Sequence, residues 1–123
     1  MSKQVLVVDD SRSIREVLGS TLENEGYAIT KCEDGEIAVD NVKKEHTQYD
    51  LIMTDINMPN RDGISLIAEL RKLDEYKYTP ILVLTTESQS EKKMEAKEAG
   101  ATGWIVKPFE KEKLLTTIGR VLK

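Results

Sequence analysis

Four short apolar runs, rich in β-branched residues and free of polar interruptions, constrain this chain more than any other feature. Val5-Leu6-Val7-Val8, Leu51-Ile52-Met53, Ile81-Leu82-Val83-Leu84 and Trp104-Ile105-Val106 all lack the polar alternation of a half-exposed strand. Val5–Val8 reads as a strand covered on both faces, and Ile81–Leu84 is a second fully apolar run of the same kind. Between the runs, apolar residues recur at helical spacing: Ile14, Val17, Leu18, Thr21 and Leu22, then Ile37, Ala38 and Val42, then Ile64, Ile67, Ala68 and Leu70. Leu114, Leu115, Ile118, Val121 and Leu122 form the clearest face of all. Glu87 to Ala99 also reads as helix, with a thin apolar face of Met94, Ala96 and Ala99. Tyr27 to Lys31 reads as a further strand, polar enough to lie at a sheet edge. The order is therefore β-α repeated five times. Short connections between such elements imply right-handed crossovers, a parallel sheet and helices on both faces, a doubly wound α/β fold.

Punctuation residues fit this division. Ser13-Ile14-Arg15-Glu16 has the spacing of a capping box, Gly26 offers a C-terminal cap, and Asp34-Gly35 reads as a turn and helix start. Asp62 reads as an N-cap, and Gly100 ends the Glu87–Ala99 helix. The 123 residues match the usual size of one domain, so residues 1–123 are expected to form a single domain without an effector domain. A net charge of −4, from 18 basic and 22 acidic residues, argues against nucleic acid as the main partner, which calls for a clustered basic face. The one cysteine, Cys32, excludes an internal disulfide framework and any multi-cysteine metal site, and reads as an inert buried thiol. No apolar run approaches the roughly 18 residues of a membrane span, and no secretory signal opens the chain, so a cytoplasmic protein is expected.

In open α/β sheets, ligands bind outside the carboxyl ends of the strands. Asp9 and Asp10 follow the first strand, Asp55 the third, Thr85 and Thr86 the fourth, and Lys107 the fifth. The edge strand at Tyr27–Lys31 offers nothing obvious. Taken singly, each residue has an ordinary explanation. Asp9-Asp10 also fits loop carboxylates favoured by a helix dipole, Asp55 a turn former, Thr85-Thr86 a strand end, and Lys107 a solvated side chain. Their joint placement at strand C-termini favours chemistry. Three clustered carboxylates repel unless a cation lies among them, and oxygen-only donors suit a hard divalent ion such as Mg²⁺. A carboxylate can act as nucleophile to form an aspartyl-phosphate, and a lysine and a metal can stabilise the phosphoryl oxygens. The set fits phosphoryl transfer onto a protein carboxylate.

These residues carry a resemblance. Val-Val-Asp9-Asp10-Ser, Asp55-Ile-Asn57-Met58-Pro59 with Asp62-Gly63, Leu84-Thr85-Thr86-Glu87, and Gly100-Ala101-Thr102-Gly103-Trp104-Ile-Val-Lys107-Pro108-Phe109 stand in order along the whole chain. The chain resembles a receiver domain of a two-component response regulator, most of all the stand-alone chemotaxis regulators of the CheY type. The resemblance implies a flavodoxin-like sheet of order 2-1-3-4-5 with five helices. It implies that Asp55 accepts a phosphoryl group from a histidine kinase. Asp10 would be the main carboxylate ligand of Mg²⁺, with Asp9 acting through water, and Asp55 and the Asn57 carbonyl would also ligate it. Lys107 would pair with the phosphoryl group, Thr85 would move toward it as the switch hydroxyl, and the Thr86 N–H would bind another oxygen. Lys107-Pro108 would be cis. Trp104 stands where the family has a switch aromatic; it reads either as core packing or as a rotamer coupled to Thr85. Glu87 and Asn57 would tune the lifetime of the phosphoryl group. His46 sits in a polar loop without a partner motif.

The reading that follows is a phosphorylation-controlled switch of protein–protein contacts, with only self-phosphorylation and self-dephosphorylation as chemistry. The resemblance points to the flagellar motor switch as target, through the fourth helix, fifth strand and last helix, including Lys93, Trp104 and Lys113, and it leaves room for a dedicated phosphatase. Three other readings stand beside it. A phosphorelay intermediate would pass the phosphoryl group to another protein's histidine. A Mg²⁺-dependent aspartyl phosphatase would want a second acid where Asn57 stands. A flavin carrier would want a phosphate loop where Asp9-Asp10 stands.

Overall fold

The middle of the sheet is built from the most apolar runs. The computed structural model describes residues 3–44, 48–56, 58, 61–86 and 90–122. Its elements alternate along the chain: β1 (Gln4–Val8), α1 (Arg12–Glu23), β2 (Ala28–Cys32), α2 (Gly35–Lys44), β3 (Leu51–Asp55), α3 (Gly63–Arg71), a 3₁₀ turn (Asp74–Tyr76), β4 (Ile81–Thr85), α4 (Ser90–Ala99), β5 (Gly103–Val106) and α5 (Lys111–Val121). The five strands are all parallel and ordered β2-β1-β3-β4-β5.

The runs of β1, β3 and β4 are unbroken because both sheet faces are covered there, whereas the β5 run lies at a sheet edge and leaves Trp104 exposed. Leu6, Val8, Ile52, Ile81 and Val83 face one core with Ala38, Val39 and Val42 of α2, Leu66, Ile67 and Leu70 of α3, and Ala96 of α4. Val5, Val7, Leu51, Met53, Leu82 and Leu84 face the other, with Leu18 and Leu22 of α1 and Leu114 and Ile118 of α5. Every residue of β3 and β4 is buried. β2 lies at an edge, as its polarity predicts, and only Cys32 of its residues is fully buried.

Several helix details depart from the sequence reading. The N-cap of α1 is Ser11 rather than Ser13: its Oγ accepts from the Ile14 N–H at 3.4 Å. Asp9 explains the shift, because its Oδ1 accepts the Ser11 N–H at 2.8 Å and turns the chain into the helix two residues early. Val17, expected on the buried face, is 52% exposed, and Met94 on α4 is 61% exposed. Ile37 is likewise exposed, and Val39 takes its place in the core. Asp62 caps α3 as predicted, accepting from Ser65 N–H at 2.8 Å, and Asp34 accepts from Ile37 N–H at 2.9 Å. Gly26 and Gly100 both have positive φ, the left-handed backbone expected past a helix end. α4 is described from Ser90, so the expected start at Glu87 lies outside the described residues.

The 3₁₀ turn and the approach to β4 are held by Arg71 at the end of α3. Its guanidinium donates to the carbonyls of Tyr76 (2.7 Å), Thr79 (2.7 Å) and Gly100 (2.8 and 3.0 Å). A cation beside the Gly100 carbonyl also complements the C-terminal end of the α4 dipole. α4 is otherwise thinly anchored; Ala96 is its buried side chain among the described residues.

Candidate functional site

Parallel strands deliver their C-terminal ends to one rim, and the residues predicted there meet. Asp9 is fully buried at the end of β1. Four contacts fix it. Its N–H donates to the Cys32 carbonyl (3.1 Å), its Oδ1 accepts from Ser11 N–H, its carbonyl accepts from Arg15 Nη1 (2.6 Å), and its Oδ2 lies 3.1 Å from Lys107 Nζ. Asp55, at the end of β3, is 8% exposed; its Oδ1 accepts from Ile56 N–H at 2.9 Å and lies 3.2 Å from Lys107 Nζ. Asp10 is exposed, yet carboxylate oxygens of Asp9, Asp10 and Asp55 lie within 4.8 Å of one another.

One ammonium thus serves two buried carboxylates. Burial pushes the Asp55 carboxyl up and the Asp9 charge pushes the same way, which outweighs the opposing pull of Lys107. Burial lowers the Lys107 ammonium, but the hydrogen bond it donates to Asp9 and the charges of Asp55 and Asp9 outweigh it, so its pKa is raised. The two carboxylates carry more negative charge than the one ammonium of Lys107, which adds to the burial effect on Asp55 and opposes it on Lys107.

The chain turns tightly around this rim. Gly63, at the start of α3, donates its N–H to the Ile56 carbonyl at 2.8 Å, and a Cβ at position 63 would overlap the Asp55 carbonyl oxygen. That close approach is the physical content of Asp62-Gly63. The Lys107-Pro108 bond is cis, as expected. Thr85 ends β4 fully buried, and among the described residues its Oγ1 is the buried side-chain oxygen without a hydrogen-bond partner. Thr86 follows, exposed. Trp104 is 44% exposed with Lys93 Nζ 5.6 Å from its ring centroid, so it is not the core packing residue that one reading expected. Asn57, Glu87 and His46 lie outside the described residues.

Sequence reasoning missed two contributors. β2, which offered nothing obvious, supplies the Cys32 carbonyl that orients Asp9, a main-chain role that no side-chain motif signals. Arg15 reaches back from α1 to the Asp9 carbonyl; its one trace in the sequence is a cation within the first turns after Asp9-Asp10. Cys32 itself is buried, its thiol pushed up by burial, and its Sγ accepts from Asn41 Nδ2 at 3.1 Å.

The comparison with protein families decides the identity. Residues 5–119 match the response regulator receiver domain. The chain belongs to that family. This receiver domain is 41% identical, over 99% of its own length and 98% of the relative's, to the chemotaxis protein CheY of Halobacterium salinarum. It is 38% identical to the transcriptional regulatory protein ResD of Bacillus subtilis, of which it spans 48%. The solved structure of the chemotaxis response regulator CheY4 of Vibrio cholerae superimposes with a TM-score of 0.92 at 46% identity, covering 99% of this chain and 100% of that one. The CheY-like flavodoxin fold and two-component signalling are therefore properties of this chain.

Receiver domains bind Mg²⁺ at an acidic pocket, and the donor set here fits the ion. The three clustered acids offer only oxygen ligands, two of them are buried, and Lys107 leaves their charge partly uncompensated. Among the described residues, no helix is long and apolar enough to cross a membrane.

Proposed function

We propose that this receiver domain takes a phosphoryl group on Asp55 from a histidine kinase in a Mg²⁺-dependent reaction, and that the phosphoryl group switches its protein contacts. The observation that carries the reading is Lys107 Nζ, held 3.1 Å from Asp9 and 3.2 Å from Asp55 at the rim, beside a Thr85 hydroxyl with no described partner. A carboxylate oxygen of Asp55 bonds to phosphorus as the bond from phosphorus to the kinase's histidine nitrogen breaks, and the electron pair leaves with that nitrogen. Asp10, Asp9 through water, Asp55 and the Asn57 carbonyl would hold Mg²⁺, which supplies charge neutralisation for the phosphoryl oxygens. Lys107 turns from its shared carboxylates to a phosphoryl oxygen, and the Thr85 hydroxyl and the Thr86 N–H take others. Thr85 gains the partner it lacks, and that gain is what a phosphoryl-bound state offers over the free one.

Output is assigned to the face of α4, β5 and α5. On its β5–α5 side, a cavity of about 380 Å³ is lined by Trp104, Phe109, Lys113, Leu114 and Thr117 among others. Similarity to chemotaxis regulators over essentially their full length supports a motor-switch protein as the target. Likeness to half of ResD supports the receiver assignment alone.

Intact-protein mass after incubation with acetyl phosphate tests this. A labile gain of one phosphoryl group is expected in the wild type with Mg²⁺, and none without Mg²⁺ or in Asp55→Asn. A gain of equal size in Asp55→Asn would refute the acceptor assignment.

A further inference from the structure

We propose that Lys93 is a positioning residue for Trp104: its ammonium holds the indole in the outward rotamer and so sets how rarely the protein without a phosphoryl group samples the inward one. The consequence for signalling rests on the phosphoryl switch proposed above, whereas the latch itself does not.

Trp104 lies level with Val83 in the parallel pairing of β4 and β5, as Val106 lies level with Thr85. Residues paired this way point to the same sheet face, so Trp104 stands on the face shared by Val83 and Thr85. That is the face α4 covers, since Val83 and Ala96 belong to one core. The ring's inward path therefore runs over Val83 toward Thr85. A large aromatic left 44% exposed beside its own core gains from moving inward, because burial of apolar area is favourable. Something has to hold it out.

Lys93 is placed to do so. It stands three residues before Ala96, on the side of α4 turned toward the sheet, and its Nζ lies 5.6 Å from the ring centroid. Its neighbour Lys92 pairs with Glu95 at 3.6 Å, whereas no described carboxylate comes within ion-pair distance of Lys93. The indole face is thus the described partner of this cation. The pair also links the first turn of α4 to β5, in a helix whose far end Arg71 grips through Gly100. Inward rotation of the ring would release Lys93 and with it the first turn of α4. The strength of an exposed cation–π pair corresponds to about two- to five-fold in the rotamer equilibrium. That is a bias on the switch, small enough for phosphoryl contacts at Thr85 to overcome.

Trp104 is the single tryptophan, so 5-fluorotryptophan labels this position alone. Fluorine NMR with relaxation dispersion, recorded without phosphodonor, measures the two ring states; the inward one has the smaller solvent-isotope shift. Lys93→Met is expected to raise the inward population about two- to five-fold and Lys93→Arg to restore it, since a guanidinium keeps the ring contact. Coincident thermal melts of the three proteins show that the effect is not loss of fold. Equal inward populations in the three proteins, or a rise in Lys93→Arg as large as in Lys93→Met, would overturn the latch. Failure of the wild type to gain mass from acetyl phosphate would instead remove the phosphoryl reading, and this donor-free measurement would stand.

Discussion

The carboxylate rim and the α4–β5 face sit at adjacent ends of the same sheet and are built in opposite ways. At the rim, Asp9 is fully buried and held at its N–H, its carbonyl and both carboxylate oxygens, and Lys107 is shared between two acids. At the α4–β5 face, Met94 is 61% and Trp104 44% exposed, and a single cation–π contact links Lys93 to Trp104. A site that must stabilise charge at the moment of transfer benefits from groups already in place. A surface that must change its contacts benefits from weak ones, because a small differential energy then shifts its population. The two regions are joined through Thr85, which ends β4 at the rim and shares a sheet face with Trp104.

The contrast can be broken hardest at Lys107. Lys107→Met strands two buried carboxylates without their counter-charge, a loss of about 3–5 kcal/mol for breaking a buried pair. Urea unfolding without Mg²⁺ should show that loss, and added Mg²⁺ should recover part of it. A loss under 1 kcal/mol, about the value of an exposed pair, would mean that the rim is not charge-strained. Next comes Arg71→Met, which removes charged hydrogen bonds to the Tyr76, Thr79 and Gly100 carbonyls and is expected to cost about 2–4 kcal/mol. Hydrogen exchange should locate the weakening at the C-terminal end of α4 and the 3₁₀ turn. Uniform weakening would show that Arg71 is no local clasp.

Gly63→Ala forces a Cβ against the Asp55 carbonyl, so about 1–3 kcal/mol of stability should go, with a slower mass gain from acetyl phosphate. An unchanged rate would show that the Asp55 backbone tolerates displacement. At the other extreme, Met94→Ser on α4 should change stability by less than about 0.5 kcal/mol in thermal unfolding, as for exposed positions generally. A larger cost would reveal packing on α4 that the exposed side chain does not suggest.

The sheet and the rim were legible in the sequence for the same reason. A parallel strand covered on both faces has to be apolar throughout, and its polar residues collect where it ends. Val5–Val8 followed by Asp9-Asp10, Leu51–Met53 followed by Thr54-Asp55, and Ile81–Leu84 followed by Thr85-Thr86 state both facts at once. Helix faces were less legible. Val17, Ile37 and Met94 fit apolar stripes by spacing yet stand in water, because spacing gives a direction and not how far the neighbouring layer extends. The N-cap of α1 depended on a side-chain bond from Asp9 to the Ser11 N–H, which spacing rules do not encode.

By itself, then, the sequence determined the alternating parallel fold, the edge position of β2, and the company of Asp9, Asp10, Asp55, Thr85 and Lys107 at one end of it. These follow from local pattern and from the fixed direction of parallel strands. Tertiary structure alone decided that Lys107 is shared by two acids, that the Cys32 carbonyl and Arg15 hold Asp9, that Arg71 clasps α4, and that Trp104 points outward under Lys93. Each of these joins residues far apart in the chain or main-chain groups with no sequence signature. Their partners are fixed by distances that exist only once the sheet has closed.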